Sequence, residues 1–284
     1  MQENHVPKVS IGMPVYNGEP LVRQALESVL SQSFADFELI ISDNGSTDGS
    51  TELLRGVAAS DPRVRYFRQE PPIRAYDNFR FVLEQARGEY FMWAAHDDTR
   101  DPDFVAKLVA ALQDNREAVL AFGDLNVVTP DNPQGTIKPF DFATDGLGRL
   151  ERLRRGSRMQ CYHIYGLWRT EAVRQVPYAY CSWWPDLPMM LAAAVLGSFV
   201  HVPDTRFHYL EMPKTALERV QVQDFTARIN LPLAVASHVR AVFRACAQVG
   251  GGAIGAYGAG LAILKQANAL PAFITYRVQR ALRR

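Results

Sequence analysis

The chain has 284 residues, of which 48% are hydrophobic and 21% are charged, and its formal net charge is +1. This composition is that of a folded, water-facing protein and excludes intrinsic disorder, collagen-like repeats and low complexity. The length exceeds the ~100–200 residues of one ordinary domain and predicts one large domain with an appendage, or two small domains.

Cysteine usage and the first residues indicate a reducing compartment. The three cysteines lie far apart and form no CxxC pair, which argues against a disulfide framework and against a cysteine zinc site. The first eight residues (MQENHVPK) lack the basic-then-apolar order of a secretory signal. We therefore expect a cytoplasmic protein.

The N-terminal half alternates short apolar, β-branched runs with segments of helical spacing, which predicts an α/β fold of βαβ units around a mostly parallel sheet. The predicted strands are Val9–Met13, Phe37–Ser42, Val64–Arg68, Tyr90–Ala94 and Val119–Gly123. Between them, apolar residues at spacings of three and four predict helices that cover the sheet.

Polar loops follow the first, second and fourth of these strands: Pro14–Glu19, Asp43–Asp48 and His96–Asp98. Asp48 can cap the helix that follows the second strand. Because ligands of open α/β sheets bind at the carboxyl ends of strands, we expect the three loops to meet at one crevice.

Beyond Asp124 the pattern weakens. Thr129–Gly135 predicts a loop, Leu150–Arg155 and Leu187–Leu196 predict helices, and Ser198–Tyr209 is interpreted as irregular. From about residue 221 the spacing predicts an amphipathic helix. The apolar stretch that follows, up to Leu264, is well short of the ~20 residues that cross a bilayer, so it is interpreted as interfacial or interhelical, with a plain loop as the alternative.

Charge is distributed unevenly along the chain. From Phe225 to Arg284 there are eight basic residues and no Asp or Glu, so the overall +1 leaves −7 for the first 224 residues. A basic, apolar tail suits a protein that lies peripherally on the inner face of the cytoplasmic membrane, against anionic lipid. A solvated basic helix and a homodimer through the same helices are the alternatives.

An acidic pair follows the fourth predicted strand, in Trp93–Asp98 (WAAHDD). Adjacent carboxylates repel each other and are tolerated where a hard divalent cation offsets their charge. Mg²⁺ or Mn²⁺ commonly joins one or two carboxylates to substrate phosphates. The pair predicts a metal–diphosphate site, although a solvated loop or a helix cap explains most such pairs taken alone.

Several ordered segments carry a family resemblance. They are Pro14–Gly18 (PVYNG), Ala25–Phe37 (ALESVLSQSFADF), Ser42–Asp48 (SDNGSTD), Arg87–Tyr90 (RGEY) and His96–Asp98 (HDD). Together they resemble the family 2 glycosyltransferases of GT-A fold, from about Val9 to Tyr209. The resemblance implies a GT-A, Rossmann-like sheet flanked by helices, with a catalytic domain at 1–215 and a helical, basic, amphipathic extension at 216–284. Within that domain, 1–124 would bind the nucleotide-sugar and 125–215 the acceptor.

The resemblance also implies roles for single residues. Asp43 would accept the N3–H of a uracil or thymine ring, with a turn-forming role as the alternative. The other nucleotide-sugar contacts would be Pro14, Tyr16, Asn17, Arg74, Asn78, His96 and Asp97. The metal ligands, for Mn²⁺ or Mg²⁺, would be Asp98, Asp97 and His208.

Two positions depart from the family pattern. Ala95 replaces the first acid of the common Asp-x-Asp-Asp form, and Asn44 replaces the second acid of Asp-Asp-Gly-Ser. The first departure leaves only Asp97 and Asp98 of that motif for metal binding.

The catalytic base implied by the resemblance is Asp186, which precedes a predicted helix. An acceptor hydroxyl needs such a base because an alcohol is a poor nucleophile until its proton is removed. Trp183 and Trp184 would stack on the sugar rings of the acceptor, and a helix N-cap is the alternative role of Asp186.

These residues predict an inverting glycosyltransferase that moves a sugar from a UDP- or dTDP-sugar to a hydroxyl of a glycan or lipid-linked acceptor in bacterial-type surface polysaccharide biosynthesis. No nucleic acid partner is expected. A catalytically silent nucleotide-sugar-binding subunit is the main alternative. A nucleotidyltransferase lacks its Gly-rich triphosphate loop here, and an NAD enzyme is disfavoured because no GxGxxG follows the first strand.

Overall fold

The computed structural model describes residues 5–138, 143–157, 161–177, 186–212 and 231–264. The chain divides into two compact units. The sheet unit comprises Met1–Gly146, Tyr162–Gln175 and Gly197–Glu211, and the helical unit comprises Leu147–Cys161, Val176–Leu196 and Met212–Arg284. Neither unit is one continuous stretch of sequence. The predicted division into 1–215 and 216–284 stays a prediction.

The sheet unit is built on nine described strands and five helices. The strands are β1 (Val9–Val15), β2 (Phe37–Asp43), β3 (Val64–Arg68), β4 (Tyr90–Trp93), β5 (Thr99–Arg100), β6 (Ala118–Thr129), β7 (Asn132–Lys138), β8 (Leu167–Arg169) and β9 (Ser198–Leu210). The helices are α1 (Val22–Leu30), α2 (Ser50–Ser60), α3 (Ala75–Glu84), α4 (Phe104–Asp114) and α6 (Thr170–Gln175). All five predicted strands are present, with ends shifted by two residues or fewer except for the longer β6.

The strands form one sheet in the order β3-β2-β1-β4-β8-β6-β9-β5, and β7 pairs with β6. Strands β3, β2, β1 and β4 are parallel neighbours, with Asp43 opposite both Val15 and Arg68. Strand β8 is antiparallel to β4 and β6, and β9 runs parallel to β6. The parallel part therefore brings the carboxyl ends of β2, β1 and β4 to one edge.

Apolar runs explain why the parallel strands lie at the centre. Every residue of β1 and β2 is buried, as expected for strands covered on both faces. Helix α1 buries Val22, Ala25, Leu26 and Val29 at helical spacing against this core. Gly88 lets the backbone of β1 approach closely, because a Cβ there would lie 2.7 Å from the amide nitrogen of Ser10.

Two predictions about the later sequence are wrong. Thr129–Gly135, predicted as a loop, belongs to the β6–β7 hairpin, whose register shifts between Val127 and Thr129. Ser198–Tyr209, interpreted as irregular, lies within the 13-residue strand β9. Nearly all of β7 is exposed, so its sequence lacks the apolar residues that mark a buried strand face. Two register shifts between β6 and β9 interrupt the alternation of buried and exposed side chains along β9.

The helical unit contains α5 (Arg149–Gly156), α7 (Asp186–Leu196), α8 (Leu231–Gly250) and a helix at 252–264. The predicted helices around Leu150–Arg155 and Leu187–Leu196 are thus present. Their core contains Leu153, Leu187, Leu191, Val195, Val242, Cys246 and Ala262. The glycine-rich stretch after α8 is helical from residue 252, so the plain-loop alternative is wrong. Among the described residues no helix is long and apolar enough to cross a membrane.

Candidate active site

The loops after β1 and β2 are joined by hydrogen bonds. The backbone N–H of Asn17 donates to Oγ of Ser46 at 3.0 Å, and the N–H of Thr47 donates to Oδ1 of Asn17 at 2.8 Å. The N–H of Gly18 donates to Oγ of Ser50 at 2.9 Å. Asn17 has a φ of 49°, the left-handed conformation that Asn tolerates better than most residues. The two loops therefore form one rigid rim.

The loop after β4 joins this rim through His96. A Cβ on Gly18 would lie 3.0 Å from Cδ2 of His96, so the imidazole packs directly on that glycine. The structure thus brings together the three loops that the sequence predicted to converge. Since β2 and β4 flank β1, the ends of these two strands lie two strand spacings apart, about 10 Å.

Asp43 is a fully buried carboxylate at the end of β2. Its Oδ1 accepts the N–H of Ser46 at 2.8 Å, while Oδ2 accepts from Thr51 Oγ1 (2.7 Å), Tyr66 OH (2.9 Å) and Arg68 Nη1 (2.8 Å). Burial alone would raise the pKa of Asp43, but hydrogen bonds, those from Ser46 and Thr51 foremost, outweigh it and lower the pKa. These four donors, together with the Ser46 side chain, already occupy the roughly four lone-pair sites of the carboxylate, so a ligand donor would have to replace one of them.

Tyr66 and Arg68 are site residues that the sequence reasoning missed. They alternate on β3, and Arg68 lies directly opposite Asp43 in the parallel ladder. Arg68 also pairs with Glu70, whose hydrogen bond raises the pKa of the guanidinium. The signal was present in the sequence as two polar residues at alternate positions of a short strand, but it needed the knowledge that β3 is the neighbour of β2.

Asp98 is the member of the acidic pair whose negative charge is buried. Its side chain is buried, and Oδ1 accepts the backbone N–H of Leu210 at 2.9 Å. Burial and the negative charge of Asp97 raise the pKa of Asp98 from its ordinary 3.8 to about 7. The backbone donor and the charge of Arg100 both lower this pKa but do not compensate burial, so a further cation would stabilise the ionised carboxylate.

Arg100 is a second residue that the sequence reasoning missed. Its guanidinium is buried, donates from Nη2 to the carbonyl oxygen of Trp93 at 3.1 Å and lies 5.3 Å from the ring centre of Phe207. Nε and Nη1 have no hydrogen-bond partner among the described atoms. Burial lowers the pKa of Arg100 to about 10, while the charge of Asp98 opposes that decrease. The buried guanidinium of Arg100 therefore interacts electrostatically with Asp98.

His208, predicted as a third metal ligand, is engaged elsewhere. Its Nε2 lies 2.9 Å from Oδ1 of Asp101, and its Nδ1 lies 3.0 Å from Nδ2 of Asn126. In the described ranges no three His, Cys, Asp or Glu side chains are grouped to hold a metal. Asp97 and Asp98 fit a hard cation that takes its other oxygen ligands from a diphosphate and water. A metal role for His208 would require it to leave Asp101, and it stays a prediction.

The remaining predicted nucleotide contacts differ in exposure. Tyr16 is 55% exposed on the rim, whereas Pro14 is buried in β1. Arg74 is exposed and pairs with Asp77 at 2.6 Å. Asn78 is buried, accepts from Ser42 Oγ at 2.6 Å and donates to the Ser42 carbonyl at 3.0 Å. Asn78 thus fixes the end of β2 through both hydrogen bonds with Ser42. Its contact with a nucleotide stays a prediction.

Asp186 is the first residue of α7 in the helical unit. Burial raises the pKa of Asp186 from 3.8 to about 6. The predicted acceptor residues Trp183 and Trp184 lie outside the described residues.

Two solved structures share this fold. S. aureus TarS 1-349 in complex with UDP matches with a TM-score of 0.60 and 14% identity, over 91% of this chain and 88% of that one. Mannosyltransferase PcManGT from Pyrobaculum calidifontis, in complex with GDP-Man and Mn²⁺, matches with a TM-score of 0.55 and 18% identity, over 98% of this chain and 81% of that one. These likenesses confirm the predicted GT-A fold.

Similarity to curated sequences is confined to part of the chain. An uncharacterized glycosyltransferase from Rickettsia felis is 34% identical over 123 residues, 42% of this chain and 20% of that one. The GalNAc(5)-diNAcBac-PP-undecaprenol beta-1,3-glucosyltransferase of Campylobacter jejuni is 32% identical over 94 residues, 33% of this chain and 30% of that one. The chain thus spans less than half the length of these relatives.

The sequence model named "Glycosyl transferase family 2" matches residues 10–170, which is more than half of the chain and contains β1 to β8 with the whole rim. The chain therefore belongs to glycosyl transferase family 2, as its ordered motifs predicted.

Proposed function

We propose that this protein is an inverting glycosyltransferase that moves a sugar from a UDP- or dTDP-sugar to a hydroxyl of a glycan or lipid-linked acceptor, in the biosynthesis of a bacterial surface polysaccharide. One observation carries the proposal. A buried carboxylate (Asp43) ends β2 and an acidic pair (Asp97 and Asp98) follows β4, and these two strands flank β1 with their carboxyl ends at one edge of the sheet.

The base of the nucleotide would bind at Asp43. Its lowered pKa keeps the carboxylate ionised at neutral pH, and the N3–H of uracil or thymine would replace one of the protein donors that the carboxylate accepts from. Cytosine presents a lone pair at N3 in place of this proton, so a cytidine nucleotide could donate to the carboxylate only from its N4 amino group, while its N3 would repel the negative charge. The UDP complex of the structurally similar S. aureus TarS supports a uridine nucleotide.

The diphosphate would bind at the Asp97–Asp98 end of the rim together with Mn²⁺ or Mg²⁺. A divalent cation there supplies charge that neutralises the departing nucleoside diphosphate. Asp97 and Asp98 would hold it, and Asp98 would be relieved of the cost of its buried charge. The Mn²⁺ complex of the P. calidifontis mannosyltransferase supports a divalent metal.

Asp186 would remove the proton of the acceptor hydroxyl as that oxygen attacks the anomeric carbon. Burial places the pKa of Asp186 at about 6, so the group is ionised at pH 7 yet more basic than an ordinary Asp. Attack in line with the leaving diphosphate inverts the anomeric centre and needs no covalent enzyme intermediate. Trp183 and Trp184, just before Asp186, would stack on the acceptor sugars.

The acceptor would be a glycan or a lipid-linked sugar at the inner face of the cytoplasmic membrane. The C. jejuni relative, whose name includes undecaprenol, and the basic C-terminal sequence support this assignment.

The test is calorimetric titration of UDP, dTDP, CDP and GDP with Mn²⁺ into the wild-type protein and Asp43→Asn. We expect the uridine or thymidine nucleotide to bind, CDP to bind far more weakly, and Asp43→Asn to lose this preference. Equal affinity for UDP and CDP in both proteins would overturn the base assignment.

A catalytically silent nucleotide-sugar-binding subunit is the second candidate, favoured by Ala95 and Asn44, each of which stands in place of an acid of the family pattern. Slow, Mn²⁺-dependent release of nucleoside diphosphate from the bound donor distinguishes the two. Release that is lost in Asp98→Asn supports the enzyme, and binding without any release supports the silent subunit.

A further inference from the structure

The helix at 252–264 has no charged or amide side chain, and its one polar side-chain group is the hydroxyl of Tyr257. One side of the helix packs on α8 through glycines. A Cβ on Gly255 would lie 2.7 Å from Cβ of Ala247, and a Cβ on Gly258 would lie 2.9 Å from Sγ of Cys246. This close approach buries the glycine side against α8 and turns the opposite side outward.

The outward side is apolar as well. Ile263 is 53% exposed, Leu264 is 63% exposed and Tyr257 is 38% exposed. Ala253 and Ala256 lie on the same side and are exposed. A helix that is hydrophobic all round is ordinarily buried or in contact with a membrane. We name the exposed residues 253, 256, 257, 263 and 264 the apolar face.

Positive charge accompanies the apolar face. The exposed side of α8, the partner helix, carries Arg240 and Arg244. The sequence from Phe225 to Arg284 has eight basic residues and no acidic one. Arg154 of α5 lies near Tyr257 and is paired with Glu151, so among the described residues the exposed arginines of α8, within the acid-free sequence, supply the unpaired positive charge. An apolar helix face in such a unit is complementary to a bilayer with an apolar interior and anionic headgroups.

We propose that the apolar face is a membrane-docking surface, whose partner is the headgroup layer of a bilayer that contains anionic lipid. The apolar run between Gln248 and Lys265 has 16 residues, fewer than the ~20 that span the hydrocarbon core, so we infer docking in the interface rather than across it. This inference rests on the proposed function only for its biological setting, and its evidence is independent of the donor site.

The experiment is co-sedimentation of the full chain with phosphatidylcholine vesicles, with and without phosphatidylglycerol. We expect binding to the anionic vesicles alone, and a weakening of that binding by added salt. The double variant Ile263→Ser/Leu264→Ser should lose about tenfold in affinity for each side chain withheld from the lipid. Arg240→Gln/Arg244→Gln should lose the preference for anionic lipid.

Ile137→Ser is the matched control. Ile137 is 47% exposed, close to the 53% of Ile263, but it lies on β7 in the sheet unit. Its replacement should leave vesicle binding unchanged. All variants replace exposed side chains, and their circular dichroism and UDP binding confirm the native fold.

Three outcomes would overturn the proposal: no sedimentation of the wild type with anionic vesicles, unchanged binding by Ile263→Ser/Leu264→Ser, or equal loss in Ile137→Ser. Light scattering after size exclusion adds a fourth. A dimer that dissociates in the Ile263→Ser/Leu264→Ser variant, without vesicle binding, would assign the face to a second copy of the chain. UDP titration of the same samples separates failure of docking from failure of the proposed donor site.

Discussion

Replacement of Asp98 by Asn should stabilise the free protein while it abolishes binding of metal and donor. Asn keeps the oxygen that accepts the N–H of Leu210 and removes the buried charge. A residue retained for stability behaves in the opposite way, because its replacement lowers the free energy of unfolding. The sign of the change therefore separates a functional carboxylate from a structural one.

The magnitude follows from the pKa of Asp98. A rise from 3.8 to about 7 means that ionisation of the buried carboxyl costs the folded state about 4 kcal/mol more than the unfolded chain, at ~1.4 kcal/mol for each tenfold change. We expect Asp98→Asn to raise the free energy of unfolding at pH 8 by about 2 kcal/mol, roughly half this ceiling, because water and local relaxation reduce the cost of buried charge.

The pH dependence has a definite sign. Between pH 3.8 and about 7 the unfolded chain releases the Asp98 proton while the folded protein retains it, so wild-type stability falls as the pH rises through this window. Above pH 7 both states are ionised and the full cost remains. The advantage of Asp98→Asn should therefore be near zero at pH 4 and largest at pH 8.

The assay is urea unfolding followed by the fluorescence of the buried Trp93 and Trp168, at pH 4, 6 and 8. Asp114→Asn, at the exposed end of α4, is the control and should change stability by less than about 0.5 kcal/mol. Saturating UDP and Mn²⁺, at 100 times their Kd, should stabilise the wild type by about 2.7 kcal/mol and the variant far less. A variant that is less stable than the wild type by the same amount at every pH would refute the reasoning.

Three further predictions concern other parts of the chain. Asp186→Asn should lose sugar transfer but keep UDP binding. The wild-type rate of transfer should rise between pH 5 and 7, as the carboxyl of Asp186 with a pKa of about 6 ionises. Full turnover by the variant would exclude Asp186 as the base. Glu38→Gln should lower the free energy of unfolding at pH 7 by about 3 kcal/mol, because Glu38 is buried between Arg65 and Arg87. Hydrogen bonds lower the pKa of Glu38 although burial opposes them, so the loss should shrink below pH 4, where the wild-type carboxyl takes up its proton. A difference in stability that does not depend on pH would contradict this. Gly123→Ala should lower the free energy of unfolding by about 1–3 kcal/mol, because a Cβ there would lie 2.4 Å from the carbonyl oxygen of Thr205. Gly56→Ala, in open space on α2, should raise it by about 0.5–1 kcal/mol. Equal effects of the two substitutions in urea unfolding would rule out the clash at Gly123.

Sequence patterns were sufficient for the parallel half of the fold. Strands β1 and β2 are buried on both faces, so their apolar runs are nearly continuous and easy to recognise. Strand β7 is almost wholly exposed, and β9 shifts register twice against β6, so neither presents the pattern of a half-buried strand. The sequence therefore located the rim of the site but not strands β7 and β9.

The candidate site shows the same division. Asp43, Asp97 and Asp98 stand out because polar residues directly follow apolar strands. Arg68 acts through a partner on a neighbouring strand, and Arg100 is packed against Phe207 of the distant strand β9, so neither contact is local in sequence. His208 looked available as a ligand because its partners, Asp101 and Asn126, come from other strands and loops.

A crystal structure of the protein with UDP and Mn²⁺ tests the central claim most directly. The account predicts that the N3–H of uracil donates to the carboxylate of Asp43 and that the diphosphate and the cation lie at Asp97 and Asp98. Uracil bound away from Asp43, with the diphosphate remote from the acidic pair, would contradict it.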